Sequence, residues 1–198
     1  MSQTNEDFHG LSIQKCIGEI RSGAASLEQM LLGFGQKKRY FRYPYLHYGT
    51  TMEARKQMNM FIEAQGTILA HATTVPEDYL YNLSLEKMGR QPDSIEYIAL
   101  MNEYVNHVLD VMQRVELLGS EIVGSPFRQI LSLTANRLNA VFLEDLLGAL
   151  EEFGYRFISL DRALADKIYE IPEAYYRPIG VGYVDMIAQS NPDLVPAR

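Results

Sequence analysis

Hydrophobic residues along this chain switch between helical and extended spacing, and the switching predicts alternating strands and helices. Over residues 12–32, Ile13, Ile17, Ile20, Leu27 and Leu31 recur at three- and four-residue steps, with Ser12 placed as an N-cap. Gly23 weakens that helix without ending it; Gly33 and Gly35 end it. Arg39-Tyr40-Phe41-Arg42-Tyr43 is aromatic-rich and stops at Pro44, which predicts a short strand. Thr51 to Gln65 reads as an amphipathic helix with Met52, Met58, Phe61 and Ile62 on one side and Gly66 as its stop. Thr67 to Thr73 reads as a second strand, broken by Pro76.

The longest helix is expected over residues 93–118, with Asp93 as its cap. Its apolar face (Ile95, Ile98, Leu100, Met101, Val105, Val108, Leu109, Met112 and Val115) is the candidate core. Phe127 to Thr134, following Pro126, reads as a third strand, and Asn139 to Phe153 as a helix stopped by Gly154. Tyr155 to Leu160 reads as a fourth strand, followed by a short helix from Asp161 to Asp166. The Tyr- and Pro-rich tail, residues 171–198, is expected to lie over the surface with little regular structure. This order is the signature of βαβ units that stack into a parallel sheet, open or curled into part of a barrel. In such sheets function collects beyond the C-terminal ends of the strands. Here those positions are residues 44–49, 74–82 and 134–139, and the stretch from Asp161 onward.

Composition narrows the classes. Hydrophobic residues make up 47% and charged residues 22%, which argues for a packed domain rather than disorder. The net charge is −7, and the one dense basic run, Gln36-Lys37-Lys38-Arg39, is too short to track phosphates, so no nucleic acid partner is expected. No apolar run is long enough for a membrane span. The N-terminus is polar and acidic, unlike a secretory signal, so the expectation for the chain as it stands is a cytoplasmic protein without a membrane partner. A single cysteine, Cys16, excludes an internal disulfide framework and a thiolate-rich metal site, and is expected to be a buried spacer in its helix. There is no Gly-X-Ser-X-Gly elbow, P-loop or Gly-X-Gly-X-X-Gly turn, so no nucleotide cofactor is expected. A spatial Ser/His/Asp or Cys/His triad stays open.

Three of the four strand ends carry a family resemblance. Arg42-Tyr43-Pro44-Tyr45 resembles the Arg-X-Pro-Tyr motif of polysaccharide deacetylases of the NodB type. Asp78-Tyr79 with Tyr81-Asn82 resembles that family's Asp-X-X-Asp-Trp/Tyr segment, and Ile130 to Asn136 its Leu-X-His strand end. Asn139 to Asp166 resembles its last helix, last strand and closing helix. The resemblance spans most of residues 5–170 and implies an α/β fold, a partial or distorted (β/α) barrel, with residues 1–170 as one deacetylase-like domain. It also implies a hydrolase of carbohydrate metabolism that removes acetyl groups from sugars. In that chemistry a zinc-like divalent metal, held by an Asp and two His, polarises the carbonyl and activates a water. An Asp serves as base and a His as acid, while Arg and Tyr of Arg-X-Pro-Tyr orient the base and help hold the oxyanion.

The chain departs from that pattern at most chemical positions. No Thr-Phe-Asp-Asp-Gly strand is present, so the barrel is expected to lack its first strands. The family's His pair falls on Glu6 and Gly10, or in a shifted register leaves His9 alone. The first Asp of the Asp-X-X-Asp segment falls on Val75 and the acid His on Thr134. Arg42, Tyr45 and Asp78 are the surviving candidates for catalysis, and His47, Tyr79, Asn82 and Asn136 the candidates for substrate binding. Without a base to orient, Arg42 reads rather as a structural ion pair or an exposed residue, and Asp78 equally as a cap or turn residue. His71 reads as a hydrogen-bonded core residue, His107 as half-exposed, and Glu6, Asp7 and His9 as a makeshift metal cluster that their terminal position disfavours.

The expectation is therefore a deacetylase-like protein that is catalytically impaired and holds no cofactor of its own, with an acetylated carbohydrate as its implied ligand. One alternative is an active deacetylase completed by a further N-terminal segment or a partner; another is a non-catalytic interaction or glycan-binding module. An open edge beside the first strand predicts two-fold pairing into a homodimer, or residues 1–32 folded across it. Tyr169, Tyr175, Tyr176 and Tyr183 are the tail residues expected at such an interface.

Overall fold

A computed structural model describes residues 6–37, 40–89 and 94–195 of the chain. It forms two compact units: one holds the described residues up to His71 together with Pro172–Gly182, the other those from Ala72 to Ile171 and from Tyr183 on.

In the first unit, α1 (Ile13–Leu32) starts where Ser12 accepts from the Lys15 amide at 3.3 Å, and α2 (Met52–Ala64) where Thr51 accepts from the Ala54 amide at 3.2 Å. The hydroxyl in each case satisfies a helix-start amide that has no partner within the helix. The helices bury one face each: Cys16, Ile20 and Gly23 on α1, and Arg55, Met58 and Ile62 on α2. Between them in sequence runs β1 (Tyr40–Phe41), and after α2 comes β2 (Ile68–Leu69). The strands pair in parallel, with Tyr40 opposite Ile68 and Phe41 opposite Leu69. Aromatic rings fill the space below: Phe41 and Tyr43 meet edge to face at 5.3 Å between centroids, and Tyr43 and Tyr48 lie 4.7 Å apart.

The second unit is a helical core. α3 (Tyr79–Met88), α4 (Ile95–Val123) and α5 (Arg137–Glu152) bury Leu85, Leu100, Tyr104, Val108, Met112, Leu138, Phe142, Leu146 and Leu150 against one another. Side chains that each leave water for such a core stabilise it by roughly 1.5–3 kcal/mol apiece. Ser94 caps α4, and Gly124 ends it in the left-handed conformation, φ +71°, that a glycine adopts without strain. The short α6 (Leu160–Leu164) and α7 (Tyr183–Ser190) complete the unit, and Arg114 on α4 grips Asp185 on α7 through two hydrogen bonds of 2.8 and 3.1 Å.

The fold is not the α/β barrel expected from the sequence. It is mostly helical, and its one sheet among the described residues has two strands of two residues each. Parallel strands are normally covered on both faces. The stretch read as the fourth strand fails that condition: Arg156, Phe157 and Ile158 are exposed, Phe157 by 55%. The stretch read as the third makes a single bridge, Thr74 to Leu131: the Ile130 carbonyl accepts from the Thr73 and Thr74 amides at 3.0 and 3.2 Å, and Ser132 donates to the Thr74 carbonyl at 2.9 Å. Extended backbone is present there, but no ladder.

The tail also differs from expectation. Residues 183–190 form α7, which buries Tyr183, Val184, Met186 and Ile187. Tyr175 and Tyr183, assigned to an interface from the sequence, are buried within the chain, and Tyr169 donates to the Arg128 carbonyl at 3.0 Å. Asn5, Lys38, Arg39 and the proposed cap Asp93 lie outside the described residues. No described helix is long and apolar enough to cross a membrane.

Candidate functional site

The candidate residues fall in both units, and each unit builds its own cluster. In the first, Pro44–Leu46 makes a tight turn directly after β1. Tyr45 and Leu46 carry positive φ, +51° and +57°, a conformation that costs a non-glycine residue free energy and needs support. Support comes from Leu46 and His47 donating back to Tyr43 and Pro44, both at 3.1 Å. The strap 172–182 presses on the turn at Gly180, where a Cβ would stand 1.8 Å from the Tyr45 carbonyl oxygen. The turn holds the Tyr45 ring out in solvent, 60% exposed and 6.3 Å from the His47 ring.

Arg42 points inward. Its Nε donates to the Ala70 carbonyl at 3.1 Å, a structural use. His47 turns toward the start of the chain and bonds Asp7 through Nδ1. Burial pushes Asp7 upward, but the His47 hydrogen bond, the His9 amide and the two imidazole charges outweigh it, and the net shift is downward.

Beneath the turn lies a cluster that the sequence reading missed. Tyr48 packs flat on His71 at 5.4 Å and hydrogen-bonds its Nδ1 at 3.0 Å. Burial, then the charges of Arg55 and Arg42, push His71 down to about 4 from its ordinary 6.5. His71 is therefore neutral when folded, whereas an unfolded imidazole takes up a proton below about 6.5. The sign follows: the unfolded state binds more protons, so stability is full above the ordinary value and falls with pH through that window. The loss levels off below the folded value and amounts to roughly 3 kcal/mol. Thermal unfolding followed from neutral pH down to about 4 is expected to show this decline, and His71→Gln to flatten it. An unchanged profile in the variant would show that other groups carry the acid sensitivity.

In the second unit the cluster centres on Asp78, buried at 3% exposure just before α3. Its side chain does not cap α3. It accepts instead from the Thr134 amide and the Thr134 hydroxyl, both at 2.7 Å, and from Asn139 Nδ2. Asn139 also donates to the Thr134 carbonyl at 2.8 Å and accepts from the Tyr104 hydroxyl. Asn82 and Asn136 are structural as well. Asn82 Oδ1 accepts from the Leu138 amide at 3.0 Å, and Asn136 caps α5 through the Asn139 amide at 2.9 Å. Asn136 Nδ2 is buried with no partner among the described residues. Of the sequence candidates Asp78, Tyr79, Asn82 and Asn136, Tyr79 alone is open to solvent, at 52%. His107, read from the sequence as half-exposed, bonds the Pro76 carbonyl at 2.9 Å.

Asp78, Asn82 and Asn136 thus come together around the start of α5, and Tyr45 and His47 around the turn after β1. Asn139 and Tyr104 escaped the sequence reading because each sits on a helical stripe where an apolar residue is the default; a polar side chain at a core position was the available signal. Among the described residues, no three His, Cys, Asp or Glu side chains gather as a metal-binding group. No protein-family model matches this chain, and no curated protein matches it.

Proposed function

We propose that this chain is a deacetylase-like protein that binds rather than hydrolyses, and that an acetylated carbohydrate is the ligand to test first. The helical fold removes the barrel from the resemblance, so the strand-end residues carry it alone. The observation that supports binding over catalysis is the engagement of Asp78: its carboxylate takes three hydrogen bonds from Thr134 and Asn139 while buried. A base needs a lone pair within reach of a substrate proton, and a positioned acid or base typically contributes about 10²–10⁴-fold. Arg42 is likewise committed to a backbone carbonyl, and Thr134 stands at the acid position.

What supports binding is a projecting ring in each unit, Tyr45 in the turn after β1 and Tyr79 at the start of α3, each more than half exposed. An aromatic ring with a polar tip covers an apolar sugar face and still meets hydroxyls. Incubation with zinc, cobalt or nickel and acetylated chito-oligomers is expected to release no acetate above the buffer blank. Titration of the same oligomers, followed by NMR, is expected to shift the Tyr45 or Tyr79 ring signals saturably. Turnover well above background would overturn the non-catalytic reading, and unmoved ring signals would overturn the carbohydrate. A protein partner is the second reading, favoured by α3, which leaves Leu80 and Leu83 exposed beside Tyr79.

A further inference from the structure

The end of α1 carries its apolar side chains outward. Met30, Leu32 and Phe34 are 67, 76 and 79% exposed, and they fall within five positions of one another. Single exposed apolar residues are ordinary, whereas a cluster marks a surface that meets something. The turn that holds them is closed. The Gln36 amide donates to the Leu31 carbonyl at 3.1 Å and the Gly35 amide to the Leu32 carbonyl at 3.2 Å, with Gly35 at φ +64°. These are the two bonds of a Schellman motif, whose left-handed position suits glycine. The apolar side chains are therefore presented by a hydrogen-bonded helix end that satisfies these carbonyls within the chain, as backbone approaching lipid must.

Helix geometry spreads the three side chains around that end. At about 100° per residue, Met30 and Phe34 share one side and Leu32 takes the other. A groove on a protein covers one side of a helix, whereas a lipid surface surrounds a tip. Charge marks which surface. Lys37, directly after the tip, is exposed, and Lys38 and Arg39 come next in sequence. From Gln29 to Met52 the chain carries no Asp or Glu, although its net charge is −7. Three successive cations beside an apolar tip complement an anionic leaflet, whose charged headgroups lie directly above hydrocarbon. The run is too short to follow a nucleic acid backbone but long enough for this, since each cation near such a surface strengthens binding about fivefold.

We infer that the end of α1 is a peripheral anchor for an anionic lipid surface: Met30, Leu32 and Phe34 enter the interface, and Lys37, Lys38 and Arg39 bind its headgroups. This departs from the expectation of no membrane partner, which rested on the lack of a spanning segment. That no described helix is long and apolar enough to cross a membrane does not bear on binding at its surface. The inference stands apart from the carbohydrate reading: it uses neither Tyr45 nor Tyr79, and either can fail alone.

The test is sedimentation of the full chain, untagged, with vesicles of phosphatidylcholine alone and of phosphatidylcholine with about one-third phosphatidylserine. Binding to the anionic vesicles only is expected, weakened at least about tenfold by high salt. Leu32→Ser combined with Phe34→Ser is expected to weaken it about a hundredfold, about tenfold for each insertion lost. Lys37→Glu, Lys38→Glu and Arg39→Glu together are expected to weaken it at least about a hundredfold. Met52→Ser, at a position 71% exposed on α2, serves as the control and keeps full binding. Leu32, Phe34 and Lys37 are exposed, so thermal unfolding of the variants without vesicles is expected to match the wild-type chain. The chain has no tryptophan, so Phe34→Trp adds a single reporter. Its emission is expected to move to shorter wavelength on anionic vesicles and to stay unchanged on neutral ones. Absence of binding to anionic vesicles, equal binding to neutral ones, or binding unchanged in either multiple variant would overturn the anchor. A dimer in light scattering that dissociates with Leu32→Ser and Phe34→Ser, without vesicle binding, would overturn it in favour of a second copy on the tip.

Discussion

Replacing Arg55 with Met is expected to destabilise the first unit by about 3–5 kcal/mol, the range found when one partner of a buried ion pair is removed. Arg55 projects from α2 into a site where only 8% of it meets solvent. Its Nε donates to the Tyr48 carbonyl at 3.2 Å, and its other nitrogens bond the Glu173 carboxylate and the Tyr175 carbonyl. The guanidinium is sandwiched between rings, 5.4 Å from the centroid of Tyr48 and 4.6 Å from that of Tyr176. One planar cation thereby ties α2 and the loop before it to the strap 172–182, about 120 residues further along. Met fills most of the volume, so the loss isolates the polar part. Glu173, with a side chain only 6% exposed, would be left as a buried carboxylate whose remaining bond is to the Tyr175 amide at 2.7 Å. For a chain of this length the loss corresponds to a fall in melting temperature of roughly 10 °C or more. Arg55→Lys retains the charge and loses the fork, so an intermediate cost is expected. The double variant with Glu173→Gln should recover part of the loss, because it removes the orphaned charge. A melting temperature for Arg55→Met close to the wild-type value would show that the contacts are incidental.

The helices were legible in the sequence because what makes them is local. Ser12 and Thr51 are caps by residue type, and the stripe Leu100, Val108, Met112, Val115 already had helical spacing; all four are buried in α4. The strands were not legible, because a strand is completed by a neighbour the sequence does not name. Tyr155 to Leu160 has strand composition, yet Phe157 is left more than half exposed. α3 went unseen for a related reason: Leu85 is its one buried residue, and Leu80 and Leu83 face solvent, so no inward stripe marked it. The signal for α7 was present. Tyr183, Val184, Met186 and Ile187 have the spacing of a helical face, and the prolines and tyrosines around them drew the reading toward a surface tail.

For the candidate site, the sequence singled out polar residues but not their partners. Arg42 and Asp78 were singled out, and both are buried or half-buried hubs. Their roles depend on partners about thirty and sixty residues away, Ala70 for Arg42 and Thr134 and Asn139 for Asp78. Short-range patterns do not reach that far. The Asp7–His47 bond spans forty positions in the same way.

Asp78 separates the structural reading from the catalytic one by the sign of a stability change. A carboxylate kept for catalysis is held in a site not optimised for the fold, and neutralising it commonly leaves stability unchanged or raises it. The geometry here demands the reverse. Asp78→Ala removes the acceptor of the Thr134 amide, the Thr134 hydroxyl and Asn139 Nδ2 together. The expected cost is about 3 kcal/mol, since bonds to a charged group contribute about 1.5–3 kcal/mol each and the buried Asn139 amide loses its partner. Asp78→Asn keeps the shape but turns an N–H₂ toward donors that need an acceptor, and about half that cost is expected. Tyr104→Phe tests the next link, leaving Asn139 Oδ1 without its donor, at about 1–2 kcal/mol. Denaturant unfolding of the three variants gives the order Asp78→Ala, Asp78→Asn, Tyr104→Phe, from the largest loss to the smallest. If Asp78→Asn is as stable as the wild-type chain or more so, the carboxylate is not serving the fold, and the structural reading of Asp78 fails.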